Sequence, residues 1–155
     1  LAEELSIPRV LDINLRAPFF DKQLIQESAN RASILKLSDE ELGPICHAAD
    51  LSCNSSNKEL LRKILDCFDL DLVVLTLGAE GALLVTGDSV VGCPGVTTTV
   101  VDTIGAGDSF TAALVVGILA GTPYETVLHD ACSLASNVCR QEGAVFAPPE
   151  RLPSC

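Results

Sequence analysis

Basic side chains are scarce in this sequence. Ten Lys and Arg stand against 21 Asp and Glu, a formal net charge of −11. That balance argues against a nucleic-acid backbone or an anionic membrane as partner. It does not exclude a nucleotide, which arrives with Mg2+ and is held locally by backbone groups. Long hydrophobic runs are also missing: the longest, around residues 112–120, is too short to span a bilayer. The first residues lack the basic-then-apolar pattern of a secretory signal. Seven cysteines, at positions 46, 53, 67, 93, 132, 139 and 155, form no Cys-x-x-Cys, which disfavours zinc and thioredoxin-like chemistry. Most have apolar or helical neighbours, as at Cys67 and Cys132, where a reduced thiol acts as a small hydrophobe. A reduced, cytoplasmic protein is expected. Nor does the Gly-Lys-Ser/Thr of a Walker-type phosphate loop occur anywhere.

What is present suffices for one soluble globular domain. The chain has 155 residues, 48% hydrophobic and 20% charged, enough for a sizeable core. Its most informative stretch runs from Val100 to Phe110. A β-rich Val/Thr run is followed by Gly105-Ala106-Gly107, then Asp108-Ser109, then the apolar segment Phe110–Ala120. The pattern predicts a strand, a tight glycine turn and the N-terminus of a buried helix. Such a turn leaves backbone N–H groups unpaired, and the helix dipole adds positive charge at the same place. Phosphate is the usual occupant of such a site. Glycine lets the anion approach the backbone. Asp108 sits beside that anion, where a carboxylate would be repelled unless it has a chemical task. A dinucleotide fingerprint would need a third glycine where Phe110 stands.

The whole string Asp-Thr-x-Gly-Ala-Gly-Asp-x-Phe, Asp102 to Phe110, closely resembles the signature of the ribokinase-like (phosphofructokinase B-type) carbohydrate kinases. The resemblance implies that Gly105, Ala106 and Gly107 form the anion hole for the transferred phosphoryl group. It implies that Asp108 is the base facing the sugar hydroxyl, and it nominates Asp102 for a monovalent cation such as K+.

Other stretches are similar to the same family. Asp12-Ile13-Asn14-Leu15-Arg16 follows a short strand, Arg9–Ile13, and spaces three polar groups on one strand face. By itself this reads equally as a strand end with a salt bridge. It also looks like the segment of fructokinases and 2-keto-3-deoxygluconate kinases that lies near substrate and phosphates. The aromatic partner expected a few residues on, often Trp, is absent, with Phe19 and Phe20 nearby. Ser38-Asp39-Glu40-Glu41 is a capping box. It also resembles the family's Asn-x-x-Glu motif, in which Glu41 would organise Mg2+ through water. Thr76, Gly78 and Gly81 match a Thr-x-Gly-x-x-Gly stretch that borders the nucleotide in the resembling kinases. Asn137 and the Gly143-Ala144 loop match the closing segment that flanks adenine.

Helices are predicted over 21–32, from Asn57 with Leu60, Leu61, Ile64, Leu65 and Phe68 on one face, and over 124–140. Strands are predicted at Ser33–Leu37, at Asp71–Leu77 and at Ala82–Thr86, the last two joined by a glycine-rich turn as a hairpin. The alternation of β and α predicts an α/β, doubly wound, mostly parallel sheet flanked by helices, with ligands beyond the strand carboxyl ends. The resemblance extends to about Pro149 but matches only the C-terminal half of a usual member. The chain opens in mid-element, on a helical remnant at Ala2–Leu5. The N-terminal sugar-binding half and lid are therefore expected to be absent, and this chain alone inactive. The implied function is ATP-dependent phosphorylation of a sugar hydroxyl, fructose or a related ketose foremost, by an enzyme that is a homodimer when full-length. Nucleoside and 2-keto-3-deoxygluconate kinases stay open, as does a non-catalytic nucleotide-binding or regulatory fragment.

Overall fold

The computed structural model describes residues 7–143. The remnant at Ala2–Leu5, Ala144 and the chain to Pro149 lie outside them. The chain divides into two compact units, residues 1–95 and 96–155.

The first unit runs β1 (Val10–Asp12), α1 (Lys22–Ala29), β2 (Ile34–Ser38), α2 (Asp39–Ala48), α3 (Asn57–Cys67) and β3 (Leu72–Thr76). A 3-10 turn (Gly78–Glu80), β4 (Gly81–Thr86) and β5 (Val90–Pro94) complete it. The five strands lie in sequence order. β1, β2 and β3 are parallel, whereas β3–β4 and β4–β5 are antiparallel. The sheet is thus α/β and mostly parallel in strand direction, with β4 alone running against the other four and making both of its pairings antiparallel. The reason is connection length: short Gly-rich turns join the last three strands, and such turns only reverse the chain.

Local chemistry sets the helix starts. Asp21 accepts from the Leu24 N–H at 2.8 Å, and Glu59 Oε2 accepts from the Ser56 N–H at 3.1 Å. The apolar stripe of α3 is buried as its spacing requires: Leu60, Leu61, Ile64, Leu65 and Phe68 all join the core. They meet Leu35, Leu37, Val73, Leu75 and Val85 from the sheet. Each such side chain stabilises the fold by about 1.5–3 kcal/mol.

Several expectations are corrected. The strand face expected through Arg16 stops at Asp12, because Asn14 takes φ +41 and turns the chain away. Cys93-Pro94-Gly95 has the composition of a turn, yet the chain is still strand as far as Pro94, on the sheet edge where proline costs no ladder bond. Cys67 is exposed, while Cys132 and Cys46 are buried. Burial first, then the neighbouring Cys53 thiol, pushes the Cys46 thiol up to about 12, so it stays protonated.

In the second unit, α4 (Ala106–Leu119) packs on α5 (Tyr124–Val138). Gly117 makes the close approach: a Cβ there would lie 2.8 Å from Val127 Cγ2. Gly121, at φ +69, follows the end of α4. Among the described residues, no strand leads into the glycine turn. The Val/Thr run instead uses its Val101 and Asp102 N–H groups on the Cys139 carbonyl, at 2.8 and 3.3 Å. Nor is α4 a buried helix: only Phe110 and Leu114 are buried, and Val116 and Leu119 are exposed. An all-apolar segment has no polar face to tell which side turns inward. Among the described residues, no helix is long and apolar enough to cross a membrane.

Gly81 shows how tightly the hairpin end is built. It has φ +101, and a Cβ there would sit 2.0 Å from the Cys93 carbonyl oxygen. Gly81→Ala is expected to destabilise the protein by about 3 kcal/mol or more, through backbone strain and displaced backbone. Gly87→Ala, where a Cβ meets nothing within 4 Å, should stay within about 0.5 kcal/mol. Urea titration of the two variants checks the contrast.

Candidate functional site

The parallel register brings the first set of residues together. Asp12 is the register partner of Lys36 on β2, so their side chains share one sheet face. Lys36 Nζ lies 3.2 and 3.3 Å from the two Asp12 carboxylate oxygens. Ser38 and Thr76 are register partners at the carboxyl ends of β2 and β3. A cavity of about 380 Å3 opens there, lined among others by Asp12, Asn14, Arg16, Lys36, Glu40 and Glu41. Asp12, Asn14, Arg16 and Glu41 thus line one cavity. Lys36 and Glu40 were missed. A lysine inside the apolar run Ile34–Leu37 was the signal, since such a residue is seldom buried without a partner.

Glu41 does two jobs at once. Its Oε2 accepts from the Ser38 N–H at 2.8 Å, which caps α2. Its Oε1 accepts from the Leu15 N–H at 2.7 Å, which ties the loop after β1 to the same helix. Asn14 makes that second bond feasible, because its left-handed φ turns the Leu15 amide towards α2; asparagine tolerates this region better than most residues. Each Glu41 oxygen keeps a further lone pair. Hard carboxylate oxygens of this kind suit Mg2+ through its water shell. Among the described residues, no three His, Cys, Asp or Glu side chains cluster tightly enough to hold a metal by themselves. A metal held jointly by water and a bound phosphate fits that donor set.

Thr76, Gly78 and Gly81 stand at the β3–β4 end, with Thr76 Oγ1 donating to the Leu37 carbonyl at 3.4 Å. Gly78 is at φ +54. They do not line the cavity beside Asp12.

In the second unit the motif folds as a helix start. Gly105 caps α4 in the left-handed region, at φ +82, which favours glycine. Ala106, Gly107 and Asp108 form the first turn. The N–H groups of Gly107 and Asp108 have no acceptor among the described residues, so they remain available to an anion. Asp108 and Gly107 are exposed. Asp102 accepts from the Ile104 N–H and the Gly143 N–H, each at 3.0 Å. It thereby clasps the motif loop to the end of α5, where Asn137 lies exposed.

Residues 4–151 match the family model described as pfkB family carbohydrate kinase. The chain belongs to the pfkB family. Aminoimidazole riboside kinase of Salmonella typhimurium is 33% identical over 150 residues, 90% of this chain and 45% of that protein. A fructokinase of Rhizobium leguminosarum bv. trifolii is 37% identical over 123 residues, 76% of this chain and 34% of its own. The chain thus spans less than half the length of these curated pfkB relatives. The crystal structure of aminoimidazole riboside kinase from Salmonella enterica, complexed with aminoimidazole riboside and an ATP analog, superposes with a TM-score of 0.74 at 29% identity. That match covers 94% of this chain and 50% of that one. A ligand-free nucleoside kinase from Burkholderia thailandensis shares the fold, with a TM-score of 0.77 at 23% identity, over 95% of this chain and 46% of that one.

Two outcomes are expected, one in each unit. The Ile104 N–H, followed by the Gly143 N–H, holds the Asp102 carboxyl below its ordinary value. A depressed native pKa stabilises the fold above the unfolded carboxylate range, and that stabilisation is lost as pH falls through the native value. Asp102→Asn should flatten this part of an acid-unfolding profile while leaving the neutral baseline parallel. Separately, Glu41→Ala should lower stability by about 1–3 kcal/mol, since two backbone donors lose their acceptor. Amide exchange should then quicken at Leu15 and Ser38 before other sites.

Proposed function

We propose that the polypeptide carrying this chain is an ATP-dependent kinase that transfers the γ-phosphoryl group to a sugar hydroxyl. The observation that carries this reading is the exposed Asp108 in the first turn of α4, beside free backbone N–H groups and immediately after the left-handed Gly105. The acceptor hydroxyl gives its proton to the Asp108 carboxylate as its oxygen attacks the γ-phosphorus. The bond from phosphorus to the bridging oxygen breaks, and ADP leaves. Charge gathers on the phosphoryl oxygens during transfer, and the Gly105–Asp108 turn supplies donors aimed at such an anion. Positioning and charge stabilisation account for most of the catalysis in this chemistry.

Other residues take supporting roles in this reading. Arg16, exposed at the cavity, neutralises phosphate charge, while Asp12 and Asn14 lie beside the substrate and phosphates. Glu41 holds the water shell of Mg2+. Thr76, Gly78, Gly81 and Asn137 border the nucleotide, and Asp102 serves a monovalent cation. Fructose or a related ketose is the first acceptor to test, supported by the likeness to a fructokinase. The likeness to aminoimidazole riboside kinase supports a riboside acceptor as the second reading. Since the chain spans less than half of its relatives' length, turnover belongs to the whole polypeptide, and the 155-residue chain alone is expected to bind nucleotide without turning over.

A phosphoryl-transfer screen against ketoses, ribose, keto-deoxy sugar acids and nucleosides tests the substrate. Asp108→Asn should keep ADP affinity and lose turnover by several orders of magnitude; near-normal turnover would sink the assignment. Glu41→Gln should raise the Mg2+ concentration giving half-maximal rate. An unchanged Mg2+ dependence with lowered thermal stability would leave Glu41 with the clasp alone.

A further inference from the structure

We propose that Lys36 contacts the ligand directly: its buried ammonium donates to a phosphoryl oxygen of a magnesium-complexed polyphosphate in the cavity of the first unit. The identity of the ligand rests on the kinase reading; the availability of the donor does not. Lys36 is only 6% exposed, and an ammonium has three N–H donors to satisfy. Among the described residues its partner is the Asp12 carboxylate alone, at 3.2 and 3.3 Å, long for a charge-assisted bond. A buried pair of this kind adds little stability over apolar packing, and the buried Ile34, two residues before Lys36 on the same face of β2, shows that this face accepts apolar residues. The pair lines a cavity, so its spare N–H groups have somewhere to point.

The charges around the cavity select the class of ligand. Arg16 lines it as a second cation with no partner among the described residues. Asp12, Glu40 and Glu41 line it as well. Three carboxylates against two cations repel a bare anion. An anion that arrives with a divalent cation meets both halves of this lining: carboxylates face the metal's waters, and Lys36 and Arg16 face the phosphoryl oxygens. In this arrangement Asp12 is a positioning residue that holds Lys36 against the sheet face.

The probe is inorganic tripolyphosphate with MgCl2, added to the polypeptide carrying this chain, labelled with 13C at the lysine ε-carbons. The Lys36 ε resonance should shift saturably. Calorimetry should show affinity weakened roughly tenfold in Lys36→Met, the weight of one charge-assisted hydrogen bond, with an intact cooperative thermal transition. Should Lys36→Met not fold, Asp12→Asn combined with Lys36→Met removes both charges together, and the wild-type resonance decides in any case. An unmoved Lys36 resonance, unchanged affinity in a folded variant, or a shift with fructose but not with magnesium tripolyphosphate would each overturn the proposal. If Lys36 responds while no acceptor is phosphorylated, this assignment stands and the kinase reading falls.

Discussion

Two backbone amides from distant parts of the chain converge on one carboxylate. Leu15, after β1, and Ser38, at the end of β2, both donate to Glu41. The cavity of the first unit depends on that convergence, because it holds the loop carrying Asn14 and Arg16 against the start of α2. Without it, the loop after β1 would lose its tie to α2. The clasp needs three things together: a left-handed Asn14, a capping box, and parallel pairing that brings the ends of β1 and β2 to the same edge.

A second convergence organises the other unit. Asp102 gathers the Ile104 and Gly143 amides, while the Cys139 carbonyl takes those of Val101 and Asp102. These bonds replace the strand that the Val/Thr run was expected to form. The glycine turn is thus held by side-chain and helix-end contacts in place of a sheet ladder. This leaves the α4 N-terminus with unspent donors at Gly107 and Asp108. Both units therefore use the same device: a carboxylate spent on backbone amides fixes a loop, and the neighbouring polar groups stay available.

The two devices differ in how much of them could be read in advance. The α3 stripe was legible because spacing alone decides which face of an amphipathic helix is apolar. The capping box at Ser38 was legible because its partners lie three residues apart, although the like box at Ser56 went unread. The second job of Glu41 was not, since Leu15 is far from it in the chain. Lys36 is not legible for a related reason: a lone lysine in an apolar strand has meaning only beside the carboxylate its register partner supplies.

Local order along the chain determined the element sequence, the αL glycine before α4, the helix stops and the motif that marks the pfkB family. These features are set by backbone sterics and by contacts within a few residues. Tertiary structure decided the end of β1 at Asp12, the exposed side of α4 and, among the described residues, the absence of a strand before Gly105. It also decided which polar side chains share the cavity. Those outcomes depend on which hydrogen-bond partners and apolar neighbours arrive from elsewhere in the chain, and a one-dimensional pattern does not contain that information.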